Sequence, residues 1–174
     1  MEFKKELESK RLYFRPFRES DAPSVFEYSK DSETVKYLTW EPHKSVDQSL
    51  FGIINYLSKN GAYAIVLKEN NKLIGSIDLR IIDSDSASFG YVINKKYWNK
   101  GYMSEALYRM FEYLFDEVGI KQIIGCHESA NIASGKVMMK CGMKWSHLVK
   151  NEEINHKIAD YDHYIIKKED WIKK

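Results

Sequence analysis

Apolar residues recur along this chain at two spacings, and the switches between them mark out its elements. Near the start, Arg11-Leu12-Tyr13-Phe14-Arg15-Pro16-Phe17 is rich in β-forming residues, and Pro16 cannot donate to a ladder, so a strand is predicted to close there. Ser20-Asp21 offers a helix N-cap, and Pro23 suits the first turn of a helix running to about Ser29. Leu50, Ile53, Ile54 and Leu57 lie three and four apart and predict a second helix over Val46 to Leu57. Three strand-like runs follow, at Ala62 to Leu67, Lys72 to Ile81 and Ala87 to Asn94. Asn70-Asn71 joins the first two as a hairpin, and Asp83-Ser84-Asp85-Ser86 breaks the chain before the third. The most regular helix spans Tyr102 to Val118, where Met103, Ala106, Leu107, Met110, Leu114 and Val118 form one stripe and Gly119 ends it. Gln122 to Cys126 is a short apolar strand, and a helix from about Ile132 to Lys140 is stopped by Gly142. Closing strands fit Met143 to Val149 and Tyr161 to Lys167. A block of strands, then strands alternating with helices, predicts an α/β sandwich on a mixed sheet, in one domain over residues 1–174.

The composition narrows the partners. Hydrophobic residues make up 44% and charged residues 30%, a globular balance with enough apolar surface for a core. Lys and Arg number 27 against 25 Asp and Glu, and this net charge of +2 gives no argument for nucleic acid or an anionic membrane. Lys167, Lys168, Lys173 and Lys174 form a basic tail that reads as a solvated chain end. Cys126 and Cys141 have no metal-like spacing and are too few for a disulfide framework, so both are expected to be small buried residues of a cytoplasmic protein. MEFKKELESK lacks the apolar stretch of a signal peptide, and no apolar run approaches the ~20 residues that cross a bilayer.

Candidate chemistry gathers where Trp98-Asn99-Lys100-Gly101-Tyr102-Met103-Ser104 enters the most regular helix. A tight turn at a helix start presents unpaired backbone N–H groups, with the positive end of the helix dipole behind them. Such a turn binds phosphate or diphosphate; Gly101 lets an oxyanion approach the backbone, and Lys100 adds a charge. On one glycine alone, a plain strand-to-helix loop is the commoner reading. Neither a P-loop nor a GxGxxG fingerprint occurs.

With their neighbours, these residues resemble a known family. Phe89-Gly90-Tyr91-Val92-Ile93, then Tyr97-Trp98-Asn99-Lys100-Gly101-Tyr102-Met103-Ser104-Glu105-Ala106-Leu107, resembles the cofactor motif of the GNAT acetyltransferases, and more narrowly the GYxI…YWxxGYxxEAL of the RimJ/RimL branch. Ser9-Lys10-Arg11-Leu12-Tyr13-Phe14-Arg15-Pro16, with Asp21-Ala22, is similar to that branch's opening ERLxLRP strand. Asn131-Ile132-Ala133-Ser134 matches its NxxS, Lys140-Cys141-Gly142-Met143 its KxGF, and Asp162, Tyr164 and Trp171 its closing segment. Each match is weak alone, but the set runs in order over nearly the whole chain. The resemblance implies an α/β (α+β) three-layer sandwich, with a mixed, mostly antiparallel twisted sheet of about seven strands and helices on both faces.

It also implies acetyl-CoA as co-substrate, no metal, and transfer of the acetyl group to an amine. The strand from Gly90 to Ile93 is expected to splay from the next, leaving the backbone of Tyr91, Val92 and Ile93 to the pantetheine arm. An N–H near Val92 would serve the thioester carbonyl. Trp98, Asn99, Lys100, Gly101, Tyr102, Met103 and Ser104 would hold the diphosphate. Asn131 would contact the pantetheine arm, and Ser134 would donate to the departing thiolate. Read without the family, Ser134 is as well explained as a first-turn serine pairing with Asn131. Met103 is larger than the family's usual Gly or Ala and Asn99 replaces a frequent glycine, but backbone amides do the binding. Trp98 is usual in the branch. Ser88 stands where relatives often carry a Glu that could act as base.

The amine must lose a proton to a side chain or water. Glu128, just before NxxS, is the catalytic candidate, alongside His127, Asp78 and Tyr91; a solvated loop carboxylate explains Glu128 as well. His43, His147, His156 and His163 have no better claim. Without a strong base, α-amines at a pKa of about 7.7–8.0 react more readily than lysine at about 10.4. This agrees with branch members that acetylate protein N-termini. Polyamines, antibiotics and other small amines are the alternative acceptors. Two other classes are a CoA-binding sensor without catalysis and an interaction domain with no cofactor. Trp40, Tyr56 and Tyr161 are candidates for an acceptor pocket, with core packing the even alternative. A homodimer is left open.

Overall fold

The computed structural model describes residues 6–59 and 61–172; Lys173 and Lys174 of the basic tail, and the first five residues of the N-terminal segment, lie outside them. The strands are β1 (Leu7–Glu8), β2 (Leu12–Pro16), β3 (Tyr63–Leu67), β4 (Leu73–Ile81), β5 (Ser86–Ile93), β6 (Gln122–Glu128), β7 (Lys144–Ile154) and β8 (Lys157–Lys167). The helices are α1 (Ala22–Ser29), α2 (Ser32–Val35), α3 (Val46–Gly52), α4 (Tyr102–Glu112) and α5 (Ile132–Lys140). All eight strands join one sheet in the order β1-β2-β3-β4-β5-β6-β8-β7, with only β5 and β6 parallel among neighbours.

Three details depart from the predicted pattern. The strand beyond the expected seven is β1, two residues facing Tyr13 and Phe14, too short to show a period. α2 is a single turn, capped by the Asp31 side chain on the Glu33 amide. The closing hairpin reaches further than Val149 and Tyr161, because Lys150-Asn151-Glu152-Glu153 interrupts the apolar alternation there. Asn155 and His156, at φ 49° and 68°, make its two-residue turn. The two longer predicted helices keep their extents, with α3 and α4 each widening into a π turn, at Ile53–Leu57 and Tyr113–Val118.

The period of two in β3 separates the faces. Tyr63, Ile65 and Leu67 enter one apolar cluster, and Ala64 and Val66 the other. α4 and α5 close the first with Met103, Ala106, Leu107, Met110, Phe111 and Met138. α1, and the π turn that continues α3, close the second with Ala22, Val25, Tyr28 and Ile53. Helices thus cover both faces, as three layers. The β3 register skips Ile74, so Leu73 faces the second cluster while Ile74 and Ile77 both face the first. Leu107, Met110, Phe111, Leu114 and Phe115 are fully buried, each large side chain contributing about 1.5–3 kcal/mol by leaving water. That burial anchors α4, and with it the turn leading into it.

Candidate functional site

The sheet opens in its middle. β5 pairs with β6 only from Ser86↔Gln122 to Ser88↔Ile124, while β4 continues to pair with β5 as far as Ile93. At the first unpaired step, the Phe89 ring lies over Gly125, where an added Cβ would meet Phe89 Cζ at 2.6 Å. Gly125 is therefore what admits this ring at the point of divergence. Beyond it, backbone groups on both strands face an open cleft. The Val92 carbonyl lies against Gly75 of β4, and the Asn94 amide bonds Ile74 O. By strand alternation the amides of Tyr91 and Ile93, rather than that of Val92, face the cleft. Trp98 Nε1 donates to Ile93 O at 2.8 Å and ties the following turn to the strand end.

That turn leaves a run of backbone amides open. Asn99 and Gly101 take φ of 60° and 77°, so the chain enters α4 through two left-handed residues. Among the described residues, the amides from Asn99 to Ser104 have no backbone acceptor; the first helical bond runs from Glu105 to Gly101 O at 3.0 Å. The larger Met103 side chain is buried in the core, away from the turn's amides. Lys100 is exposed, its ammonium 5.5 Å from the Tyr97 ring centre.

Across the cleft, Asn131 caps α5, its Oδ1 accepting the Ser134 amide at 3.3 Å. The Ser134 hydroxyl goes elsewhere: its Oγ lies 2.7 Å from Tyr91 Oη on β5. Tyr91 Oη also lies 3.3 Å from Ser134 O. Burial pushes the Tyr91 phenol well above its ordinary value, so it stays a neutral donor. One phenol proton and one serine proton serve three oxygens. When Tyr91 donates to Ser134 Oγ, the serine proton is free for the cleft. Beneath Ser134, Gly135 lets α5 sit close to His127 and Tyr164. His127 faces this helix, with Nδ1 2.8 Å from Glu128 O and Nε2 3.4 Å from Tyr164 Oη.

Known proteins share this sequence pattern and fold. The acetyltransferase (GNAT) domain family matches residues 11–144. The chain is a member of the GNAT acetyltransferase family. It is 33% identical over 139 residues to an N-acetyltransferase of Bacillus subtilis (strain 168), YnaD, covering 79% of this chain and 82% of that one. A GNAT-family acetyltransferase structure from Bacillus anthracis superposes with a TM-score of 0.86 at 28% identity, over 94% of this chain and 99% of that one. A microcin self-immunity acetyltransferase, crystallised with acetyl-CoA and AMP, shares the fold at a TM-score of 0.79 and 18% identity, over 91% and 93% of the two chains. Among the described residues, no group of three or more His, Cys, Asp or Glu is arranged to hold a metal, and no helix is long and apolar enough to cross a membrane.

In this acetyltransferase, the residues considered for the acceptor and for the base lie on several elements. Glu128 and Tyr161 are cross-strand partners. Tyr161 is buried and its Oη has no hydrogen-bond partner among the described residues; burial first, then the Glu128 charge, raises its pKa. Lys157 Nζ stands 2.6 Å from Glu128 Oε2, an ion pair off the direction of a hydrogen bond. The same ammonium donates to Lys36 O at 3.2 Å and Leu38 O at 3.4 Å, closing the hairpin over the loop before Trp40. Trp40 packs on the second cluster beside His43. Tyr56 is exposed against Phe51. Asp78 pairs with Arg80 at 2.5 Å, both lying over Gly90. Ser88 stands at the vertex of the cleft with no carboxylate of its own. Arg11, Glu105, Lys157 and Gly135 were not singled out from the sequence. The only signal was that Arg11 and Glu105 stand inside the family motifs.

Proposed function

We propose that this acetyltransferase belongs to the RimJ/RimL-like branch and transfers the acetyl group of acetyl-CoA directly to a primary amine, with a protein N-terminal α-amine as the preferred acceptor. The observation that carries the reading is the junction of three features around one cleft. These are the splayed backbone of β5, the free amides of residues 99–104, and the Tyr91–Ser134 hydrogen bond. They fit the cofactor chemically: donors without acceptors face a diphosphate, and an open strand edge faces the amide-bearing pantetheine arm.

When bound, acetyl-CoA supplies a thioester whose carbonyl carbon is open to a neutral amine. The Tyr91 or Ile93 amide, facing the cleft, donates to the oxygen as charge develops there. The new N–C bond forms as the C–S bond breaks, and the Ser134 hydroxyl donates to the leaving sulfur. Tyr91, kept neutral by burial, donates in turn to Ser134 Oγ. The acceptor's ammonium proton leaves to water before attack. The second proton, lost from nitrogen as the amide forms, passes through water and Ser134 Oγ to the sulfur, so Ser134 and Tyr91 both end neutral. Asp78, Glu128 and Glu152 are paired with Arg80, Lys157 and His163, which favours an acceptor that is already partly neutral. The two cysteines, Cys126 partly exposed and Cys141 buried, form no disulfide and support a cytoplasmic setting.

The test is thiol release from acetyl-CoA with α-amine peptides, lysine peptides, polyamines and aminoglycosides, wild type beside Ser134→Ala, with CoA binding measured on the same samples. Release with α-amine peptides, reduced by Ser134→Ala while binding persists, is expected. Release with lysine peptides alone would refute the α-amine preference, and CoA binding without any release would favour a sensor.

A further inference from the structure

The first turn of α4 is clasped from outside by the segment between β1 and β2. Glu105 Oε1 accepts the Ser9 hydroxyl and the Arg11 amide, each at 2.7 Å, and Oε2 accepts Arg11 Nε at 2.6 Å. Burial opposes the Glu105 charge, but these hydrogen bonds outweigh it and hold the carboxyl below its ordinary value. Arg11 Nη1 continues to Lys100 O at 3.1 Å, and the guanidinium lies 4.3 Å above the Tyr102 ring.

The bond to Lys100 O decides an orientation. A trans peptide directs its carbonyl and its N–H to opposite sides. With the Lys100 carbonyl drawn toward Arg11, the Gly101 N–H is turned away from it, to the side where the free amides of the turn lie. Gly101 sits at φ 77° and, as a glycine, also tolerates the flipped peptide, in which that N–H would be lost to an anion.

We infer that Arg11 is the positioning residue of the diphosphate turn: clasped by Glu105, it locks the Lys100–Gly101 peptide with its N–H toward the anion and does not contact the anion itself. The inference rests on the proposed use of acetyl-CoA. The charge of Arg11 is already matched by Glu105, and its Nε and Nη1 are occupied. Nη2 lies 3.6 Å from where a Gly101 Cβ would stand, so the salt dependence below separates a direct contact through Nη2 from the geometric role.

The experiment is calorimetric titration of the full chain with CoA, ADP and pantetheine, for wild type, Arg11→Ala, Arg11→Lys and Glu105→Gln. The Gly101 amide resonance is followed in parallel. Arg11→Ala is expected to weaken CoA and ADP alike by about tenfold and to leave pantetheine unchanged. Arg11→Lys keeps the charge but cannot reach Glu105 and Lys100 O together, so it is expected not to rescue. Its Gly101 amide should exchange faster than in the wild type even without ligand. The Arg11 side chain is 42% exposed, so the fold should tolerate its loss. Glu105→Gln tests the same clasp from the other end and should give a smaller loss in the same direction. Rescue by Arg11→Lys with a loss that shrinks in salt would overturn the inference in favour of direct ionic contact. Equal weakening of all three ligands, or CoA affinity unchanged in both Arg11 variants, would also overturn it. Wild type that fails to bind CoA would overturn the proposed function itself, and is distinguishable because no variant comparison is then needed.

Discussion

Gly135 lets α5 sit close against His127 and Tyr164, and an alanine there should separate catalysis from stability. An added Cβ would lie 2.5 Å from His127 Nε2 and 2.9 Å from Tyr164 Oη. Ordinary contact begins at 3.4 Å, so the helix and the imidazole must part by about 0.9 Å, the difference between 3.4 and 2.5 Å. His127 is buried and tied through Nδ1 to Glu128 O, so the helix is the partner that gives. Ser134 is the preceding residue, and its 2.7 Å bond to Tyr91 then stretches toward about 3.6 Å, outside hydrogen-bonding range. Alanine gains about 1 kcal/mol in helix propensity, against an overpacking cost of about 1–3 kcal/mol, so the net destabilisation is about 0–2 kcal/mol. A misplacement of about 1 Å at reacting groups costs roughly a hundredfold in rate. The expected outcome for Gly135→Ala is a folded protein with a small drop in Tm, nearly unchanged CoA affinity, and kcat about a hundredfold lower. Adding His127→Ala removes the nearer obstacle and should restore part of the rate. Wild-type kcat in Gly135→Ala, measured by thiol release with a competent amine, would refute the reasoning.

Three further outcomes can be checked. Gly101→Ala forces a non-glycine residue to φ 77°, which should cost about 1–2 kcal/mol in urea unfolding and weaken CoA binding; equal stability and binding would show that the turn is freer than this. Hydrogen bonds from Lys72 and then Lys96 hold Glu27 down at about 2, from 4.5. The folded value lies below the unfolded one, so its stabilisation is present above about pH 4.5 and is lost as pH falls toward about 2. Urea midpoints of wild type and Glu27→Gln should therefore converge over that window, and a constant gap would contradict the assignment. Lys157→Met removes an ion pair whose side chains are only 29% and 19% exposed, at a cost of about 1–2 kcal/mol. Amide exchange should then accelerate around Lys36–Leu38 and the hairpin tip, and unchanged exchange would show that Lys157 does not hold the loop.

Much of the site was legible in local pattern. The period of three and four in Met103, Ala106, Leu107 and Met110 marked α4, and Gly101 before it marked the turn, because both signals arise from neighbours within one or two helical turns. Asn131 as a cap and Ser134 three residues on were likewise local. The Ser134 hydroxyl was not: its partner, Tyr91, is 43 residues away on another strand. Tyr56, singled out for its aromatic ring, sits exposed beside Phe51, since the helical pattern there does not distinguish the side facing a cleft from the side facing solvent.

The sequence by itself determined the longer elements, the family motifs and the turn into α4, since each depends on spacing within a short stretch of chain. Tertiary structure alone decided what each polar side chain meets. Pairing of β5 with β6 stops at Ser88↔Ile124, which makes the cleft. The Arg11–Glu105 clasp spans 94 residues, and the reach from Lys157 to Lys36 spans 121. Such contacts leave no period in the sequence, because the sheet order, not chain distance, brings their partners together. That order also paired Glu128 of β6 with Lys157 of β8, where the sequence had left it as a catalytic candidate or a solvated carboxylate.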